Sequence, residues 1–162
     1  MNPSDQDLTP APLVPAGLFR RLCAGVVDSS LGLAISGALT FGCAVAFGVP
    51  GLYYGVGASA LTWWLYSSVA EASTKQATLG ARLCRVKVAD RDGGRASFWQ
   101  AARRQAVRVA LGASAAFAVL TGPRELPLVF AGLLVLSFLF SLKNERRQAL
   151  ADLAGRVVVA RR

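Results

Sequence analysis

From Leu22 to Ala70 the chain runs for 49 residues with a single charged side chain, Asp28. A hydrocarbon layer of roughly 30 Å takes about 20 apolar residues of helix to cross, so this stretch accommodates two crossings. Nothing else in the sequence restricts the fold as much. It also sets a problem, because a carboxylate in apolar surroundings needs a partner or takes up a proton.

The rest of the chain fits the same picture. Charged residues are 17% of the 162, hydrophobic ones 54%, and mean hydropathy is +0.45. Soluble domains carry roughly 25% charge. After Arg20-Arg21 we place four spans, at about 22–49, 52–70, 106–121 and 126–142. Pro50-Gly51 separates the first two, and "GPRELP" separates the last two. The first run exceeds a signal peptide's apolar stretch, and further runs follow it, so it reads as a retained helix. A reading with three spans, merging the last two runs into a re-entrant hairpin, is the alternative.

The positive charges orient the spans. The N-terminal flank holds Arg20 and Arg21, segment 71–108 holds nine basic residues, and tail 143–162 holds six. Of the 18 Lys and Arg, only Arg124 falls on the other face. Positive residues collect on the cytoplasmic side. Both termini are therefore expected in the cytoplasm. A net charge of +9 does not indicate nucleic acid, because the basic residues flank apolar runs and form no basic domain.

Local signals fill in the cytoplasmic parts. Residues 1–16 are proline-rich and polar and read as a disordered tail, with the membrane domain spanning 17–162. Ser97 and Gln100 have capping-box spacing, so the third helix should start at Ser97. Arg85–Ala89 alternates and ends near an Asp92-Gly93-Gly94 turn, and Val157–Ala160 is β-branched. A lone strand leaves its backbone unpaired, so we expect these two to pair. Between them "NERRQALADLAG" reads as a short helix with Asn144 as N-cap and Gly155 as stop. The fold class is an all-α membrane protein with four transmembrane helices, a small cytoplasmic two-stranded sheet and a short C-terminal helix.

These motifs together resemble the RDD family of bacterial integral membrane proteins, named for one arginine and two aspartates. "GLFRRLCAGVVDSSL" resembles its first-helix motif through Arg21 and Asp28. The central segment is similar to the family block through Thr78, Leu79, Gly80, Asp90 and Gly93, then Ala101 and Arg104. "NERRQALADLAG" resembles the closing motif through Arg147, Gln148 and Asp152. The chain departs from the pattern at Ala81-Arg82, where many members have Lys, and at Ala151, where many have His. The resemblance implies an integral membrane protein for which transport is often proposed.

Arg21 and Asp28 lie two turns apart on one helix face. Small residues share that face, including Ala24, Gly25 and Gly32, and Gly51 and Gly55 on the second run offer a partner stripe. We expect Asp28 to pair with Arg104 or Arg108, and Asp152 with Arg21 or Arg147. Two functions follow. In one, the Arg/Asp cluster moves an ion or small solute. In the other it is a structural clasp in a non-catalytic adaptor.

At roughly 1.5 Å per residue, Asp28 lies only about 9 Å beyond Leu22, shallower than the midplane at which transport sites usually lie. Trp63, Trp64 and Tyr66 read as interfacial anchors or packing residues. Cys23, Cys43 and Cys84 are spaced for neither metal nor a disulfide framework. No nucleophile has a base, and no phosphate loop appears, so neither an enzyme nor a cofactor or metal is expected. Partners would be the bilayer, anionic lipid head groups, a second copy or another membrane protein.

Overall fold

A computed structural model describes residues 14–90, 92–122, 128, 129, 132, 136 and 149–161. Helix α1 (Leu18–Phe47) and helix α2 (Val49–Ala72) form a hairpin. The chain reverses at Gly48, whose φ of 64° and ψ of −146° suit glycine. The break therefore falls before Pro50-Gly51. Pro50 lies inside the first turn of α2, where its missing N–H costs nothing.

The hairpin is tight because small residues line it. A Cβ on Gly51 would lie 2.0 Å from the Cys43 carbonyl oxygen, and one on Gly55 2.4 Å from the Thr40 Cα. Backbones in contact at that range need glycine. Among the described residues α1 is the helix long and apolar enough to cross a membrane. Helix α2 has 24 residues but carries Ser, Gly and aromatic side chains along its length.

Short helix α3 (Leu79–Leu83) follows and leads into β1 (Val86–Asp90). It lies where the sequence reading had only a connecting segment. Helix α4 (Phe98–Thr121) starts after Ser97 with both halves of the capping box made. Helix α5 (Leu150–Gly155) precedes β2 (Val157–Arg161). Of the helix expected over 145–155, the described part begins at Leu150, with Ala149 extended as its N-cap. Asn144 and Arg147 lie outside the described residues, as does most of the 126–142 run, of which Leu128, Val129, Gly132 and Leu136 are helical.

The expected strand pairing is present. β1 and β2 run antiparallel with Val88 opposite Val159. Both edges are covered. The Ala16 N–H donates to Val159 O at 3.0 Å and Arg161 N–H to Val14 O at 2.9 Å. On the other edge, Val88 N–H donates to Gln76 O at 2.8 Å and Asp90 N–H to Gly94 O at 2.9 Å. Residues 14–16 are thus ordered onto the sheet, and Ala16 is fully buried. The proline-rich signal did not anticipate this, because a short edge segment needs only two or three backbone bonds and suits proline.

Candidate functional site

Two charged sites sit where the long helices meet α3, α5 and the sheet. The first is built on Asp28. Both its oxygens are engaged: Thr78 Oγ donates to Oδ2 at 2.5 Å, and Gly80 N–H donates to Oδ1 at 2.8 Å. Leu79 N–H donates to the Tyr66 hydroxyl at 3.2 Å, and Ala81 N–H to Thr78 Oγ at 3.4 Å. The first three amides of α3 are therefore all satisfied, two of them from the α1–α2 hairpin. Helix N-termini leave such donors exposed, and a carboxylate is a favourable acceptor for them.

Gly80 permits this approach. A Cβ there would lie 2.4 Å from the Ala24 carbonyl oxygen and 2.8 Å from the Asp28 carboxyl carbon. Asp28 thus caps α3. It does not pair with Arg104 or Arg108, as the sequence reading had expected. The reason is local: the Gly80 amide and the Thr78 hydroxyl at the start of the short helix take both carboxylate oxygens.

The second site is built on Arg104, buried in the second turn of α4. Its Nε donates to Asp152 Oδ1 at 2.6 Å, and its Nη1 donates to Glu71 Oε1. Gln105 Nε2 donates to the same Glu71 oxygen at 2.6 Å. Arg21 and Arg108 each lie 3.6 Å from the Asp152 carboxylate. The Arg108 side chain is 46% exposed, whereas Arg104 and Asp152 are buried. Asp152 Oδ2 also accepts from the Ala149 N–H at 3.1 Å, fixing the first turn of α5.

Burial by itself would push the Asp152 carboxyl up, but the guanidiniums of Arg104, Arg108 and Arg21 outweigh it and hold the group below the usual carboxylate range. The cluster therefore ties α2, α4 and α5 together through charge-assisted hydrogen bonds, and α1 to them through the Arg21–Asp152 ion pair. Glu71 Oε2 is buried and has no hydrogen-bond partner among the described residues.

Of the five expected charged residues, Arg21, Arg104, Arg108 and Asp152 come together and Asp28 stands apart from them with Thr78 and Gly80. Glu71 and Gln105 were missed. Glu71 is the acid at the end of the second apolar run, and its position there was the available signal. Of the packing residues, Ala24 is buried against α3, and a Cβ on Gly32 would lie 3.5 Å from the Trp63 ring. Gly25 is exposed and meets nothing within 4 Å, so it does not belong to the packing face. The aromatic cluster packs in part as expected: Trp64 Nε1 donates to Ala102 O at 2.9 Å, joining α2 to α4. The three cysteines are free.

A model described as the RDD family matches residues 15–156. No curated protein and no solved structure matches the chain.

Proposed function

Because this chain belongs to the RDD family, we propose that it is a multi-pass protein of the bacterial inner membrane whose Arg/Asp/Glu cluster is a structural clasp. The clasp holds a cytoplasmic platform of α3, α5 and the two-stranded sheet against the membrane helices, and the platform serves as an adaptor surface for a membrane-protein partner. One observation carries this reading. Every oxygen of Asp28 and Asp152 already accepts a hydrogen bond from the protein itself. Carboxylates engaged in this way by backbone and side-chain donors act as structural acceptors that hold α3 and α5 in place. The segregation of Lys and Arg supports cytoplasmic termini. Crosslinking in native membranes tests the adaptor role: a reproducible crosslink from the platform to one membrane protein is expected, and recovery of this protein alone would overturn it.

Glu71 favours a second reading, transport of an ion or small solute. Its Oε2 is a buried acceptor without a donor among the described residues, and an ionisable group within a membrane protein is a functional-site hypothesis by default. Proteoliposomes loaded with a pH or Na⁺ dye separate the two readings. Flux lost in Glu71→Gln supports transport, and no flux from the wild type under any imposed gradient removes it.

A further inference from the structure

Two segments of the chain repeat one another 71 residues apart. Residues 78–90, TLGARLCRVKVAD, and 149–161, ALADLAGRVVVAR, agree at Leu79/Leu150, Arg85/Arg156, Val86/Val157, Val88/Val159 and Ala89/Ala160. Five matches, four of them among small and branched apolar residues, would carry little alone. The structure adds that both segments do the same thing. Each forms a short helix, then an arginine in the left-handed region, then a five-residue strand. Arg85 and Arg156 share a φ of 54°, a conformation few non-glycine residues adopt. The two strands pair antiparallel with Val88 opposite Val159, so the centre of the pairing is the middle residue of both.

The long helices extend the correspondence. α1 packs against α3, and α4 packs against α5. Aligned on their N-caps, Gly17 and Ser97, α1 and α4 place Ala24 with Arg104 and Asp28 with Arg108. Each long helix meets its short helix through a glycine, though at opposite ends: Gly80, at the start of α3, approaches Ala24 and Asp28, and Gly155, at the end of α5, approaches Gln100 and Arg104. In both halves an acid lies between the long helix and the start of the short one. In the first half it is Asp28 on the long helix, and in the second it is Asp152 on the short helix, facing arginines on the long one.

We propose that the protein is two copies of one unit, long helix, short helix and strand, related by a twofold axis through the Val88–Val159 pair, and that Glu71 latches the first copy to the second. Glu71 belongs to α2, in the first copy, yet both donors to its side chain, Arg104 Nη1 and Gln105 Nε2, come from α4 in the second. Every hydrogen bond that its side chain makes among the described residues therefore crosses the boundary. Parallel repeats related by an axis along the membrane normal recur in secondary transporters, where one half can rock against the other. The sheet on the axis joins the halves at one level, and Glu71 joins them at the ends of the helices. The latch rests on the clasp reading, whereas the repeat stands independently of it.

Pairwise spin-label distances on the full chain, with its three cysteines replaced by alanine, test both parts. Leu83, Arg85, Ala154 and Arg156 are all exposed. The twofold relation exchanges the pair Leu83/Arg156 with Ala154/Arg85, so these two labelled pairs should give the same mean distance. Clearly separate distributions would overturn the repeat. For the latch, Glu71→Gln should broaden the distance distribution of a Leu83/Ala154 pair, which spans the copies. A Phe19/Leu83 pair, within one copy, should stay sharp. An unchanged spanning pair, or equal broadening of both pairs, overturns the latch. Gln105→Leu removes one donor only and should give the same pattern in weaker form if Glu71→Gln fails to fold. None of these distances depends on recovering a partner, so their failure is distinct from failure of the adaptor role.

Discussion

Arg104 Nε and Asp152 Oδ1 lie 2.6 Å apart with both side chains buried. The pair joins the second turn of α4 to the first turn of α5, across 48 residues of chain. Removing one partner of a buried ion pair leaves the other charged and unpaired, at a cost of roughly 3–5 kcal/mol. Arg104→Ala should therefore lower stability by about that amount, read as a shift in the thermal midpoint in detergent. Arg104→Lys should recover only part of it, because an ammonium cannot reach Glu71 and Asp152 together as the guanidinium fork does. A Lys variant as stable as the wild type would show that charge alone suffices.

Acid should loosen the same junction. The guanidiniums hold the Asp152 carboxyl below its ordinary range despite burial. A carboxyl with a lowered native pKa binds fewer protons folded than unfolded, so its contribution is present above the unfolded value, about 3.9, and is lost as pH falls below it. Stability should be nearly flat from about pH 7 to 5 and should fall below about pH 4. Asp152→Asn should be less stable at neutral pH and should show a shallower acid slope. An unchanged slope in that variant would assign the acid sensitivity to other groups.

Asp28 should behave as a capping residue. Asp28→Asn keeps one acceptor oxygen but puts an amide donor against Thr78 or Gly80, and loss of an N-terminal cap costs about 0.5–2 kcal/mol. Gly80→Ala should cost more, because its Cβ would press on the Ala24 backbone and the Asp28 carboxyl. Limited proteolysis after Arg82 and Arg85 reads the outcome directly. Both variants should be cleaved faster there than the wild type, with α1 and α2 left intact. Equal cleavage rates would mean that α3 is held by other contacts.

Much of this was legible in the sequence, and where it was not the reasons are physical. The β1–β2 pairing followed from two β-branched segments that had no other strand to satisfy them. The start of α4 followed from Ser97 and Gln100. The partner of Asp28 did not follow, because it depends on a five-residue helix too short for periodicity to reveal. Long side chains such as Arg104 reach across elements, so spacing on one helix cannot choose between Asp28 and Asp152. Glu71 closes the cluster from the end of an apolar helix, where one acid looks like an ordinary boundary residue.

The inner-face assignment of the basic segments makes the last prediction. Arg95 lies in the turn between β1 and α4, and its Nε donates to Ala72 O at the end of α2 at 2.7 Å. It therefore marks the level of the platform. Arg124 is the one basic residue in the "GPRELP" segment. In a cysteine-free background, Arg95→Cys should react with a membrane-impermeant maleimide only after the inner membrane is opened, and Arg124→Cys should react in intact spheroplasts. Opposite labelling sides are expected under the proposed arrangement, in which α4 crosses the bilayer with its Arg-rich first turns at the inner surface, where snorkelling guanidiniums reach the head groups. Labelling of both from the same side would mean that α4 does not cross, and the four-span arrangement would fall with it.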